Sequence, residues 1–365
     1  MLERLFVDNY RCFVNFEYKP QTKQLLMGAN GSGKSTVLEV LRALKRFIQG
    51  GCCPFTQSSR TRWLDLPLQV FEVQAAIEGR DFSYRLEIGY SPASKTPFVS
   101  LERLEVDRSP VFEFVNGEMR SFVGGSDQRF VLRDDWREST LHLAVFGNPD
   151  VHRFVEWMDT IHCFKIDAYE EKMDEVADAE DSVPDYELEN LAGWYLHQLA
   201  ADPDAVDGFR SAMKDVLANF ARIRFDPEYD GAKKLLIDFV TKSNGLISLS
   251  LHELSDGQRC LIALYMILNF LIMKGHTVFL DEPDNFISLR EIQPWLLAAE
   301  QAAEDHHAQL ILISHHPELL NQWAKDYGLL FQREANDFAV TKAFGRDSEG
   351  YLQPSEVIAR GWEHE

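Results

Sequence analysis

One run of residues, Gly28-Ala29-Asn30-Gly31-Ser32-Gly33-Lys34-Ser35, constrains this chain more than any other stretch. It fits G-x-x-x-x-G-K-[ST], follows the apolar Leu25-Leu26-Met27, and opens a segment with Val37, Leu38, Leu41, Leu44 and Ile48 along one side. A strand that turns through glycines into a helix wraps backbone N–H groups around an anion, and the helix adds its positive end. Residues 30–36 (Asn30, Gly31, Ser32, Gly33, Lys34, Ser35, Thr36) are therefore expected to hold the phosphates of ATP. Lys34 should reach the β- and γ-phosphates, and the Ser35 hydroxyl should ligate Mg²⁺.

Three later segments complete a set. Thr277-Val278-Phe279-Leu280-Asp281-Glu282 is an apolar run ending in two carboxylates. Asp281 suits a metal shell, and Glu282 suits the group that orients or deprotonates an attacking water. Leu254-Ser255-Asp256-Gly257-Gln258 precedes a long apolar helix, where Ser255 reads at least as an N-cap. Ile313-Ser314-His315-His316-Pro317 ends a further apolar run.

The order of these segments carries a resemblance. LSxGQ resembles the signature motif of ABC-type ATPases, in which the Ser hydroxyl and Gly backbone touch nucleotide held by the opposite subunit. The resemblance implies that Ser255, Gly257 and Gln258 complete the site of a second copy, in an ATP-dependent homodimer. It implies the switch histidine at His315, with His316 as the alternative, and a D-loop contacting the partner subunit over residues 283–288. Asn9-Tyr10-Arg11-Cys12-Phe13 resembles the opening of SMC-, RecF- and OLD-type heads, which implies Arg11 near the nucleotide. The glutamine of the family's Q-loop has no clear counterpart.

Alternation organises the rest. Short alternating stretches from about residue 71 to 132 read as an antiparallel meander. A helical pattern follows over about 140–161, then a strand at IHCFKID. Residues 167–190 are strongly acidic and read as a solvated, mobile linker. Two helices flank Asp202-Pro203, and strand–helix alternation in the last third implies a parallel sheet. The expected fold is α/β: an ABC-type P-loop ATPase head with a mixed or parallel sheet core, an antiparallel β meander and a helical lobe. Its expected parts are residues 1–167, the helical lobe 168–250, and 251–365.

Composition narrows the partners. The formal charge of −21 makes the chain a poor autonomous binder of nucleic acid, whose phosphates are held by Lys and Arg. The five cysteines lack metal-ligand spacing and suit a reducing cytosol, and Cys52-Cys53 reads as a loop pair without redox purpose. The opening residues lack the pattern of a signal peptide, and the apolar run 261–273 is short for a membrane span. The long interval between Lys34 and Ser255 is unlike a transporter's motor subunit and similar to the SMC/RecF/OLD branch. Coiled-coil arms do not fit, and the stretch after His316 is too short for a Toprim nuclease. The resemblance then implies a stand-alone head acting as an ATP-driven switch for a separate effector, such as a nuclease in a bacterial defence module. A RecF-like ATPase that clamps nucleic acid directly is the alternative.

Overall fold

A computed structural model describes residues 1–50, 53–91, 95–124, 126–133, 135–168, 173–227, 231–333, 337–344 and 353–359. The N-terminal part runs β1 (Leu2–Asp8), β2 (Phe16–Tyr18), β3 (Lys23–Met27), α1 (Lys34–Ile48), β4 (Leu68–Ile77), β5 (Arg80–Tyr90) and β6 (Pro97–Val106). It continues through β7 (Ser109–Val115), β8 (Glu118–Val123), β9 (Ser126–Val131), α2 (Leu141–Ala144), α3 (Pro149–Asp159) and β10 (Ile161–Phe164). The middle holds β11 (Val176–Ala177), α4 (Leu191–Ala201), α5 (Pro203–Val216), β12 (Phe220–Pro227), β13 (Lys233–Val240) and β14 (Leu246–Ser250). Then follow α6 (Asp256–Phe270), β15 (Thr277–Asp281), α7 (Leu289–Asp305), β16 (Gln309–Ile313), α8 (Pro317–Tyr327), β17 (Gly328–Gln332), β18 (Val340–Ala343) and α9 (Pro354–Ala359).

The chain divides into two units: residues 1–161 with 324–350, and residues 162–323 with 351–365. In the first, an antiparallel sheet runs β2-β1-β4-β5-β6-β7-β8-β9, the expected meander with β1 and β2 added at one edge. Its strands alternate, so Phe71, Val73 and Ala75 of β4 and Phe82, Tyr84, Leu86 and Ile88 of β5 are buried while their neighbours are not. Phe154 of α3 stacks on Tyr84 at 5.3 Å. In the same unit β3 pairs in parallel with β17, and β17 pairs antiparallel with β18. Every residue of β3 is buried, as expected of a strand covered on both faces.

In the second unit β15 and β16 pair in parallel, with Asp281 opposite Ile313, and both are wholly buried. Trp295 of α7, fully buried, donates its indole N–H to Leu264 O of α6 at 2.9 Å. Residues 168–250, read as a helical lobe, hold α4 and α5 and then an antiparallel sheet in which β13 pairs with β11, β12 and β14. The acidic segment is not a solvated linker over its described part. Met173 and Leu188 are fully buried, and backbone bonds join Asp174 to Glu189 and Lys165 to Tyr186. A few apolar residues spaced among the carboxylates suffice to pack it. The apolar run 261–273 lies in the stretch Asp256–Lys274, which among the described residues is long and apolar enough to cross a membrane and is mostly buried inside the protein. Cys12, Cys53, Cys163 and Cys260 are free thiols, and Cys52 lies outside the described residues.

Candidate functional site

The phosphate loop belongs to the first unit. It follows the buried strand β3 and ends where α1 begins at Lys34, with Gly33 at the N-cap and no side-chain cap. Gly28 sits at φ 132°, and a Cβ there would lie 2.2 Å from Phe331 O, so only glycine fits. Gly31, at φ 80°, faces open space. The Lys34 ammonium is curled over the loop, donating to Gly28 O at 2.7 Å and Ala29 O at 3.1 Å. Ser32 is 3% exposed and its Oγ has no hydrogen-bond partner. A buried hydroxyl left unsatisfied costs about 1–3 kcal/mol, and an anion accepting from it would remove that cost. Open glycine, inward lysine, orphaned hydroxyl and uncapped helix end fit a bound phosphate chain.

The N-terminal motif lies against this loop. A Cβ on Gly33 would meet Cys12 Sγ and Phe13 Cε1, each at 3.1 Å, and Cys12 Sγ lies 4.0 Å from Thr36 Oγ1. Burial pushes the Cys12 thiol up, so it stays protonated and acts as packing. Arg11 is ion-paired to Glu39 of α1, Nε to Oε2 at 2.7 Å, and its guanidinium is half exposed. Asn9 is the member of the motif that sequence reading passed over. Fully buried, it donates to Leu66 O and Leu68 O, and its Oδ1 accepts from Thr61 N.

The second unit gathers the other expected residues. Asp281, 5% exposed, ends β15, and Glu282 N donates to Ile313 O at 2.8 Å. Glu282 takes φ 52°, a left-handed conformation unusual for a residue with a side chain. Its Oε2 accepts from Asn285 Nδ2 at 2.8 Å. Behind it, burial pushes the Asp284 carboxyl up, opposed by a hydrogen bond from Ser314, and Asp284 Oδ1 is buried without a partner. His315 is exposed just past β16. His316 accepts at Nδ1 from Glu318 N at 3.2 Å, at the start of α8, so that ring is committed to the helix.

At the signature segment Ser255 does cap α6. Its Oγ accepts from Gln258 N at 3.3 Å, and Gln258 Oε1 accepts from Ser255 N at 3.0 Å. This is a capping box on an exposed serine. Two residues unmarked in the sequence hold the segment. Arg259, 3% exposed, donates to Leu251 O, His252 O, Leu254 O and Ala168 O and pairs with Asp256. A lone arginine inside an apolar helix was the available signal. Cys260 Sγ approaches Pro283 O at 3.8 Å and Asn285 O at 3.7 Å, and burial pushes its thiol up to about 12. Gly257 is equally close, since a Cβ there would lie 3.0 Å from Phe286 O. The signature helix and the turn after Glu282 are thus packed together.

Among the described residues no cluster of three or more His, Cys, Asp or Glu could hold a metal by itself. Taken separately, the Ser35 hydroxyl of the first unit and the Asp281 carboxylate of the second are each a hard oxygen donor of the kind that suits Mg²⁺.

The family model described as "AAA domain, putative AbiEii toxin, Type IV TA system" matches residues 25–321. No curated protein matches the chain. Among solved structures the chain is similar to the SMC head domain from Thermotoga maritima. The identity is 14% and the TM-score 0.48, covering 94% of this chain and 99% of that one.

Proposed function

The chain belongs to this AAA domain family, and on that footing we propose that it binds MgATP, dimerises head to tail around it and hydrolyses it slowly as a cytoplasmic switch. The observation that carries the nucleotide reading is the phosphate loop: Lys34 held across Gly28 O and Ala29 O, beside the buried, unpartnered Ser32 hydroxyl. Residues 30–36 cradle the phosphates, and Arg11 lies at the nucleotide. When bound, Mg²⁺ neutralises phosphate charge, and Ser35 and Asp281 are the residues that would hold it. Glu282 orients and deprotonates the attacking water, and His315 faces the γ-phosphate. Ser255, Gly257 and Gln258 complete the site of the second copy.

Two observations bear on what the switch controls. The family description names a "putative AbiEii toxin" of a TA system, a kind of system built of paired proteins, and on that likeness the switch acts with a separate protein partner. The charge of −21 weighs against the alternative of a RecF-like clamp on nucleic acid. Arg222 and Arg224 of β12 moreover share Asp238, Arg224 also pairs with Asp226, and Lys234 pairs with Glu175, so these three cations are matched by three carboxylates.

Titration calorimetry tests the core of the reading. Lys34→Ala removes the ammonium from the phosphates and is expected to weaken MgATP binding at least tenfold, a loss of about 1.4 kcal/mol or more. Equal affinity in the two proteins would refute nucleotide binding at this loop.

A further inference from the structure

We propose that Asn285 is a positioning residue for the Glu282 carboxylate, fixing one of its oxygens so that the other is aimed at the attacking water. The proposal rests on the reading of Glu282 as the general base. It begins from the bond between Asn285 Nδ2 and Glu282 Oε2, 2.8 Å long. A glutamate side chain has three rotatable bonds, and a base that wanders among its rotamers is seldom in reach of a proton. An amide offers donors only from its nitrogen, so a single bond pins Oε2 and leaves Oε1 the accepting atom. As the water oxygen bonds to the γ-phosphorus and the bond to the ADP oxygen breaks, the water's proton passes to Oε1. The bond from Asn285 is kept throughout.

The bond is of use only if Asn285 is itself held, and it is held on three sides. Asn285 N donates to Glu282 O at 3.2 Å, closing the turn on itself. The carbonyls of Pro283 and Asn285 both face the Cys260 thiol, which is 1% exposed within α6. The next carbonyl, Phe286 O, lies so near Gly257 that a side chain there would crowd it at 3.0 Å. The signature helix therefore serves as the platform on which the amide reaches Glu282. Asparagine is also a common turn residue, and Asn285 is exposed, so a purely conformational role is the competing explanation.

Aspartate separates the two. Asn285→Asp keeps the size and turn preference but removes the N–H donors and sets a carboxylate against Glu282. Both Asn285→Asp and Asn285→Ala are expected to lower kcat about tenfold or more, within the 10²-fold that ~1 Å of misplacement costs. In Asn285→Ala, which adds no charge, KM, calorimetric ATP affinity and melting temperature should stay at wild-type values. In a Glu282→Gln background, single-turnover rates should not fall further when Asn285→Ala is added, because the two residues act as a unit. A wild-type kcat in Asn285→Asp, or an undiminished Asn285→Ala effect in the Glu282→Gln background, would overturn the positioning role alone. Wild-type turnover in Glu282→Gln itself would overturn the reading of the base, and this proposal with it.

Discussion

Glu282 follows a buried strand at φ 52°, where a residue with a Cβ is strained by about 1 kcal/mol or more and glycine is not. The strain has a chemical counterpart, since the same turn brings the carboxylate to Asn285 and sets it directly after Asp281. Two substitutions separate conformation from chemistry. Glu282→Gln keeps the shape and is expected to bind MgATP as the wild type does while turnover falls by roughly 10²–10⁴-fold. Glu282→Gly should also lose turnover, yet melt no lower than wild type, because the left-handed strain is relieved. Calorimetry, single-turnover hydrolysis and thermal melts of the pair check this, and a Glu282→Gln protein of normal turnover would move the role to another residue, His315 first. Residues of this kind were legible from position: a carboxylate at the end of an apolar run, a serine opening a helix, a histidine past a strand. The roles of Asn9, Asn285 and Arg259 were not, although the first two lie in segments the sequence singles out. Asn9 and Arg259 serve loop carbonyls and Asn285 a carboxylate that only the folded turn aims at it, and no periodicity marks such partners.

Elements were legible where one face is apolar and hidden where a polar face is internally paired. The meander announced itself by alternation, and α1 by the spacing of Val37, Leu38, Leu41 and Leu44. Strands β12 to β14 did not, because Arg222 and Arg224 on β12, Asp238 on β13 and Ser248 on β14 face one another and read as an ordinary charged surface. A comparable polar knot ties the meander to the helices that follow it. Glu102 of β6, fully buried, accepts from Tyr84 Oη, Ser139 Oγ, Thr140 Oγ1 and Thr140 N. Burial pushes its carboxyl up in spite of those four bonds. A carboxyl with a raised folded pKa favours the protonated folded state. Its contribution is therefore full at acid pH and is lost as pH rises from the ordinary carboxylate range through the folded value. The melting-temperature difference, wild type minus Glu102→Gln, is thus expected to shrink as pH rises from about 4. A difference that holds constant with pH would show that Glu102 titration is not linked to folding.

At the scale of the whole molecule the proposed dimer has to bring two copies together against a formal charge of −21 on each. Like charges oppose association, and at 0.15 M salt the repulsion is screened beyond about 8 Å, so a nucleotide-free dimer should be weak and assisted by salt. In the proposed dimer two ATP molecules would change the balance, because each γ-phosphate would supply acceptors to donors of both copies, and those contacts would vanish once it is cleaved. Such a cycle would turn hydrolysis into opening, a state the proposed effector could read. The Ser255 side chain supplies the test, since it already has work within its own chain as the cap of α6. Ser255→Asp caps a helix as well as serine does and favours the helix dipole, so folding should be intact. The same carboxylate would face a partner's γ-phosphate and repel it. Light scattering is therefore expected to show Glu282→Gln as a dimer with ATP and a monomer with ADP. The Glu282→Gln, Ser255→Asp double variant should stay monomeric with ATP while melting normally. If that double variant dimerises with ATP as well as Glu282→Gln alone, Ser255 is a helix cap and nothing more, and the head-to-tail arrangement fails with it.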